Sequence, residues 1–401
     1  MKKYFVFAAA ALMTIAACTK VETDETPAKK ISFQIADYAS QTKAAEDPGA
    51  LQGETTSFSS KAWLHANGAS TGTNFFGTSS NDYTETVSYT AGTPNVWEPS
   101  EEYFWPKASD SYINFVSWYA TNSKAPTTVT ETAMNWGTSA APMTIASDDN
   151  FLFADEAWRY SDNATQYTSI SGVSEGVPTL FHHALAKLAF KIRLSTETAS
   201  SKTIWDVEMK TASLVFGNKG YLNLANADPT SNTTRAWSIG TTYNSGASYA
   251  ATSANVGWTA TTGTETVTSF TTPTMTLIPT SASSSSPATS GDFVDYLAER
   301  TVMPQAIDGG VVTLALTFDI KLFHASAGAK VGDAYSTETI TIAATNLHTL
   351  VGSIDNWNMN TKYTYNVTID PVGKKVLFDP AVAEWATVNN GTNGTEIYSA
   401  N

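Results

Sequence analysis

From Val312 to Ile320 the chain alternates without a break. Val312, Leu314, Leu316, Phe318 and Ile320 are apolar, and Thr313, Ala315, Thr317 and Asp319 lie between them. A period of two belongs to a strand, because successive side chains of a pleated backbone point to opposite faces. The pattern recurs at Ile31, Phe33 and Ile35, along Leu188 to Leu194, and along Tyr363 to Ile369. Each run predicts a strand with one face in a core and one in water. Helical spacing is nearly absent. Short helices are expected only around Asp292 to Glu299 and around Pro380 to Trp385. Leu214-Val215-Phe216, the turn formers Gly217-Asn218-Lys219-Gly220, and Tyr221-Leu222-Asn223-Leu224 predict a hairpin. Many short strands between turn-rich gaps mean an all-β fold of sandwiches or barrels.

A chain of 401 residues exceeds what one hydrophobic core usually serves. Two β-sandwich domains are expected, over residues 30–178 and 179–401, with the boundary somewhere in 175–195. Residues 1–17 read as a signal peptide: Lys2 and Lys3, then an apolar stretch, then Ile15-Ala16-Ala17. The apolar stretch is shorter than the roughly 20 residues a bilayer needs. Cys18 follows directly and is the only cysteine, the mark of a bacterial lipoprotein whose thiol takes a diacylglyceryl group. Acyl chains would then hold the mature protein to a membrane. No disulfide can form, so stability must come from buried cores. Residues 18–29 are polar and read as a flexible tether.

Charge is acidic, with 23 Lys and Arg against 37 Asp and Glu and a net of −14. That argues against nucleic-acid partners. Catalytic patterns fail on context. Gly172-Val173-Ser174-Glu175-Gly176 matches a nucleophile elbow, but Val177-Pro178 stands where a helix must begin. His182-His183 would point to opposite faces of a strand, one packed and one exposed. His65, His324 and His348 have no ligand spacing. Asp148-Asp149-Asn150 lacks a calcium-loop pattern and reads as a solvated loop. The chain is read as no enzyme, with no cofactor and no metal. Trp97, Tyr103, Trp105, Trp118 and Tyr119 crowd one stretch. Such rings can stack sugars, but core packing is the favoured reading. A carbohydrate-binding surface lipoprotein is the alternative function.

Several blocks resemble, in order, the fimbrillin family of Bacteroidota, the subunits of type V pili. They are Ile31-Ser32-Phe33 with Thr42-Lys43-Ala44, Tyr103-Phe104-Trp105-Pro106, Phe181-His182-His183-Ala184-Leu185-Ala186-Lys187-Leu188, Met303-Pro304-Gln305, and Trp357-Asn358 through Phe378-Asp379-Pro380 to Trp385. The resemblance implies two tandem transthyretin-like sandwiches in a surface-exposed lipoprotein of the outer membrane, part of a fimbrium when polymerised. It also implies cleavage by a trypsin-like protease in the loop after the first strand. That strand then leaves, and a neighbouring pilin subunit fills the groove by strand addition. Adhesion to a host or bacterial surface ligand is implied as well. On this chain the placeholder strand is Ile31 to Tyr38, with Ile31, Phe33 and Ile35 as inward knobs. The cut falls between Lys43 and Ala44, where the family more often has Arg. Val388, Ile397 and Tyr398 are the only plugs available in the polar C-terminal segment, the candidate donor. So poor a donor suits an anchor or tip position, or a relative that does not polymerise.

Overall fold

Apolar alternation turns into core rows throughout the chain. The computed structural model describes residues 30–37, 55–66, 69, 71–91, 96–106, 111–154, 157–160, 166–167, 176–195, 203–225, 257–277, 293–309, 311–327, 329–352 and 354–384. Strands dominate, and the one α-helix among the described residues is α1 (Leu347–Val351).

The N-terminal sheet is built from β1 (Phe33–Asp37), β2 (Ser57–His65), β3 (Glu85–Thr90), β4 (Val96–Pro99), β5 (Tyr112–Ala120), β6 (Phe151–Ala154) and β7 (Val177–His183). Its order is β5-β6-β7-β1-β4-β3-β2, and β2 also pairs with β5. The pairing therefore returns on itself around one core, where Phe33, Phe58, Phe76, Trp97, Phe115 and Phe181 meet. Every pairing in this circuit is antiparallel except that of β1 with β7.

The C-terminal half contains β8 (Ala186–Leu194), β9 (Thr203–Gly217), β10 (Lys219–Ala225), β11 (Val294–Val302), β12 (Thr313–Ser326), β13 (Ala329–Asn346), β14 (Thr361–Asp370) and β15 (Lys375–Glu384). One sheet runs β11-β8-β14-β15, and the other runs from Thr264–Val267 through β9 and β12 to β13. The rows predicted from alternation all point into one core: Leu188, Phe190 and Ile192 of β8, Leu314 to Ile320 of β12, and Tyr363 to Ile369 of β14. Phe190 stacks on Tyr365 at 4.9 Å. The indole N–H of Trp357 donates to the Tyr365 hydroxyl at 2.8 Å, which satisfies a fully buried donor. This is the all-β sandwich architecture that the sequence predicts.

A third core joins the halves. β10 pairs with Ala133–Trp136, a strand of the N-terminal half. Trp63, Trp118, Trp136, Leu222 and Trp258 pack together between the two main cores. Close approach requires glycine at position 220, where a Cβ would sit 2.6 Å from the Thr259 carbonyl oxygen and from the Met303 sulfur. The step from β7 to β8 takes only Ala184 and Leu185, both buried.

Three sequence expectations are corrected. Leu214 to Leu224 is no hairpin: β9 and β10 enter different sheets, and the chain changes sheet at Asn218. The turn formers allow a reversal, but β9 finds a much longer partner in β12. The region of Asp292 to Glu299 is β11, not a helix, from Val294 onward. Register shifts at Leu188/Phe190 and Phe190/Lys191 put buried residues in adjacent pairs along β11, and these breaks in period two imitate helical spacing. Pro380 lies inside β15, an edge strand where a missing N–H is tolerated. The real helix starts at Asn346, whose side chain accepts from the His348 N–H at 2.8 Å, and stops at left-handed Gly352.

Candidate functional site

β1 occupies an interior berth in its sheet. It runs parallel to β7, with Phe33 beside Val177 and Asp37 beside Phe181. On its other flank Phe33 pairs antiparallel with Trp97 of β4. The Val177 N–H donates to the Ser32 carbonyl at 2.7 Å, and the Ile31 N–H donates to the Tyr103 carbonyl at 2.8 Å. Lys30 pairs with Glu102 at the entrance, an exposed contact of little energetic weight.

Alternation places Ile31, Phe33 and Ile35 on one side of β1, and all three are buried in the N-terminal core. Phe33 is only 4 % exposed. Its ring stands edge-on to Phe58 at 5.5 Å and to Phe115 at 5.6 Å, with Phe76 at 6.4 Å. Burying each such side chain contributes about 1.5–3 kcal/mol. Removing β1 would therefore strip two edges of their partner and open apolar sockets to water.

Polar groups brace the mouth of this berth. The Tyr103 hydroxyl donates to Glu85 at 2.9 Å and accepts from the Gly77 N–H at 2.8 Å. Burial, with Glu85 beside it, pushes the Tyr103 phenol above its ordinary value. Glu85 also accepts from Ser100. A second pair, buried His65 with half-buried Glu131, ties β2 to the turn before Ala133–Trp136. Burial works to raise the Glu131 carboxyl, but His65, Asn114 and the Gly72 N–H outweigh it and hold the group below its usual range.

Of the residues singled out from sequence, Ile31, Phe33 and Ile35 are brought together here. Cys18, Lys43, Ala44, Val388, Ile397 and Tyr398 lie outside the described residues, as does Ser174. Trp97, Trp105 and Trp118 are buried, so none forms an open sugar platform. The histidine expectation fails, because His182 and His183 are both buried. One faces Phe153 at 5.5 Å, and the other donates from Nδ1 to the Asn150 side-chain oxygen at 2.9 Å. Burial pushes the His183 imidazole well below its ordinary value, with Lys187 and His182 adding to the effect, so it stays neutral.

Asp149 and Asn150 are also buried rather than solvated, and only Asp148 of that run is exposed. The Asp149 carboxylate accepts from Lys124 Nζ at 2.5 Å, the Ala146 N–H at 2.7 Å and Asn122 Nδ2 at 2.9 Å. Sequence reasoning missed this hub because its partners are contributed by two separate turns. No group of three or more metal-ligating side chains occurs among the described residues. No described helix is long and apolar enough to cross a membrane.

No family model matches the chain, and no curated protein matches it. Several solved structures resemble it in shape. A fimbrial protein from Bacteroides vulgatus is 15% identical with a TM-score of 0.40, covering 89% of this chain and 100% of its own. A candidate cell adhesion protein from Bacteroides uniformis is 14% identical with a TM-score of 0.37, covering 90% of this chain and 99% of its own. A candidate polysaccharide-binding protein from Bacteroides thetaiotaomicron is 11% identical with a TM-score of 0.34, covering 89% and 96%.

Proposed function

We propose that the chain is a lipid-anchored, fimbrillin-like structural subunit of the cell surface that assembles by exchanging β1 for a strand of another subunit. The observation that carries this reading is the berth of β1: an N-terminal strand, bonded on both flanks, with three apolar knobs in a core that would otherwise lie open. Before exchange, β1 keeps the groove from pairing with the wrong strand. Lys43, a few residues past the strand, is the proposed cleavage point, and a trypsin-like protease is the partner that would act there. The two sandwiches are the body of the subunit, and its adhesive role follows from its place in a fibre.

Two tests address the reading. Limited trypsin treatment of the full chain should cut first after Lys43 and leave the remainder folded. A labelled peptide of residues 30–38 should then enter the nicked protein and not the intact one. A first cut inside residues 60–380, or a peptide that never enters, would overturn the exchange mechanism. Anchoring is tested separately, since Cys18→Ala should abolish incorporation of a clickable fatty acid. Continued labelling of that variant would refute the lipoprotein assignment.

A further inference from the structure

We infer that the β1 berth reads its occupant at the middle knob, and that its partner is a strand of another polypeptide with an aromatic ring there and branched aliphatics two residues to either side. The inference rests on the strand-exchange reading above and names the partner that the reading leaves open.

The socket around Phe33 is both directional and stiff. Two rings meet Phe33 at 80° interplanar angles, the geometry in which the positive edge of one ring faces the negative face of the other. An aliphatic side chain has no such edge. The walls also cannot collapse onto a smaller knob. Phe58 is held from behind by Trp97 at 5.5 Å and by Phe181 at 5.2 Å. Phe76 is held by Tyr103 at 4.5 Å, and Tyr103 is itself fixed by Glu85 and Gly77. Phe115 is backed by Trp105 at 5.9 Å. A site that cannot close around a truncated side chain keeps its cavity, and the loss is then at its largest.

Residues 385–401 do not carry that pattern. Tyr398 is flanked two residues away by Glu396 and Ala400, and Trp385 by Ala383 and Thr387. Val388 has Ala386 and Asn390 at the same spacing. The required pattern does recur at Leu188-Phe190-Ile192 and Leu316-Phe318-Ile320, but β8 and β12 are paired on both flanks in the middle of their sheets. Neither can be donated without dismantling the C-terminal core. The candidate donor segment Val388 to Tyr398 therefore does not match the pattern of the berth, and the occupant is a strand of a different sequence.

The test uses the full chain nicked after Lys43 and fluorescein-labelled peptides read by anisotropy. The probes are residues 30–38 as they stand, the same peptide with Phe33→Leu, with Phe33→Ala or with Ile35→Val, and residues 385–401. The unaltered peptide should bind, and the Ile35→Val form should follow within about threefold. Phe33→Leu should bind about tenfold more weakly or worse, because it loses the edge-on ring contacts. Phe33→Ala should be weaker still, and residues 385–401 should show no binding. Equal binding of the Phe33→Leu peptide, or firm binding of residues 385–401, overturns the inference while leaving exchange intact. Failure of the unaltered peptide removes exchange itself and this inference with it. A second measurement needs no nicking: in the intact chain, Phe33→Leu should lower the urea midpoint more than Ile35→Leu does. Equal shifts would show that the socket does not select for a ring.

Discussion

Phe33→Ala lowers the stability of the full chain by about 3–5 kcal/mol, the range for emptying a buried aromatic site that cannot relax. Three aromatic neighbours lose their contact with the ring at once. They are pinned from behind, so the cavity persists. Urea unfolding followed by tryptophan fluorescence measures the effect, and Trp97 beside β1 is a natural reporter. Phe104→Ala is the control, because Phe104 is 41% exposed and its removal should cost less than about 0.5 kcal/mol. A Phe33→Ala loss no larger than that of the control would mean that β1 contributes nothing to the N-terminal core. The exchange reading would then lose its energetic basis.

Asp149→Ala should cost a comparable amount, about 3–5 kcal/mol, for a different reason. The carboxylate is fully buried, and three donors converge on it. Alanine would leave the Ala146 N–H without its acceptor and the Lys124 ammonium with the Thr144 carbonyl alone. It would also loosen the turn that presents Asn150 to His183. Asp149→Asn keeps the shape and one acceptor oxygen, so it should lose distinctly less. Pairing Asp149→Leu with Lys124→Met should recover part of the loss, since replacing a partly buried pair together is milder than orphaning its buried member. Strictly additive losses in that double variant would show that the two groups do not act as a pair.

Local pattern carried the strands, and it failed wherever distant residues decided the outcome. Leu188 to Leu194 and Tyr363 to Ile369 were legible because one buried face leaves a period of two in the sequence. Nothing in that period says that the two runs lie side by side and parallel, which the structure shows along eight registered positions. The bulges opposite β11 erased its alternation, and a helix was expected in its place. Asn218 sits among turn formers, yet the chain crosses there from one sheet to another, because the competing partners of β9 and β10 lie far away in sequence. Of the site, the knobs Ile31, Phe33 and Ile35 could be read from alternation. Their socket could not, since Phe58, Phe76 and Phe115 belong to segments with no sequence relation to β1. Asp149 looked like a loop acid because its neighbour Asp148 is one, and burial of a single carboxylate leaves no trace in composition.

The hydrogen bonds that seat β1 lie crosswise to its length on both flanks. A tug along the strand's own axis would load all of them together, whereas lifting one end would break them in succession. Any ribbon lodged in this position is thus far harder to drag out lengthwise than to peel away. The joint is therefore strongest against force applied along the axis of the lodged strand.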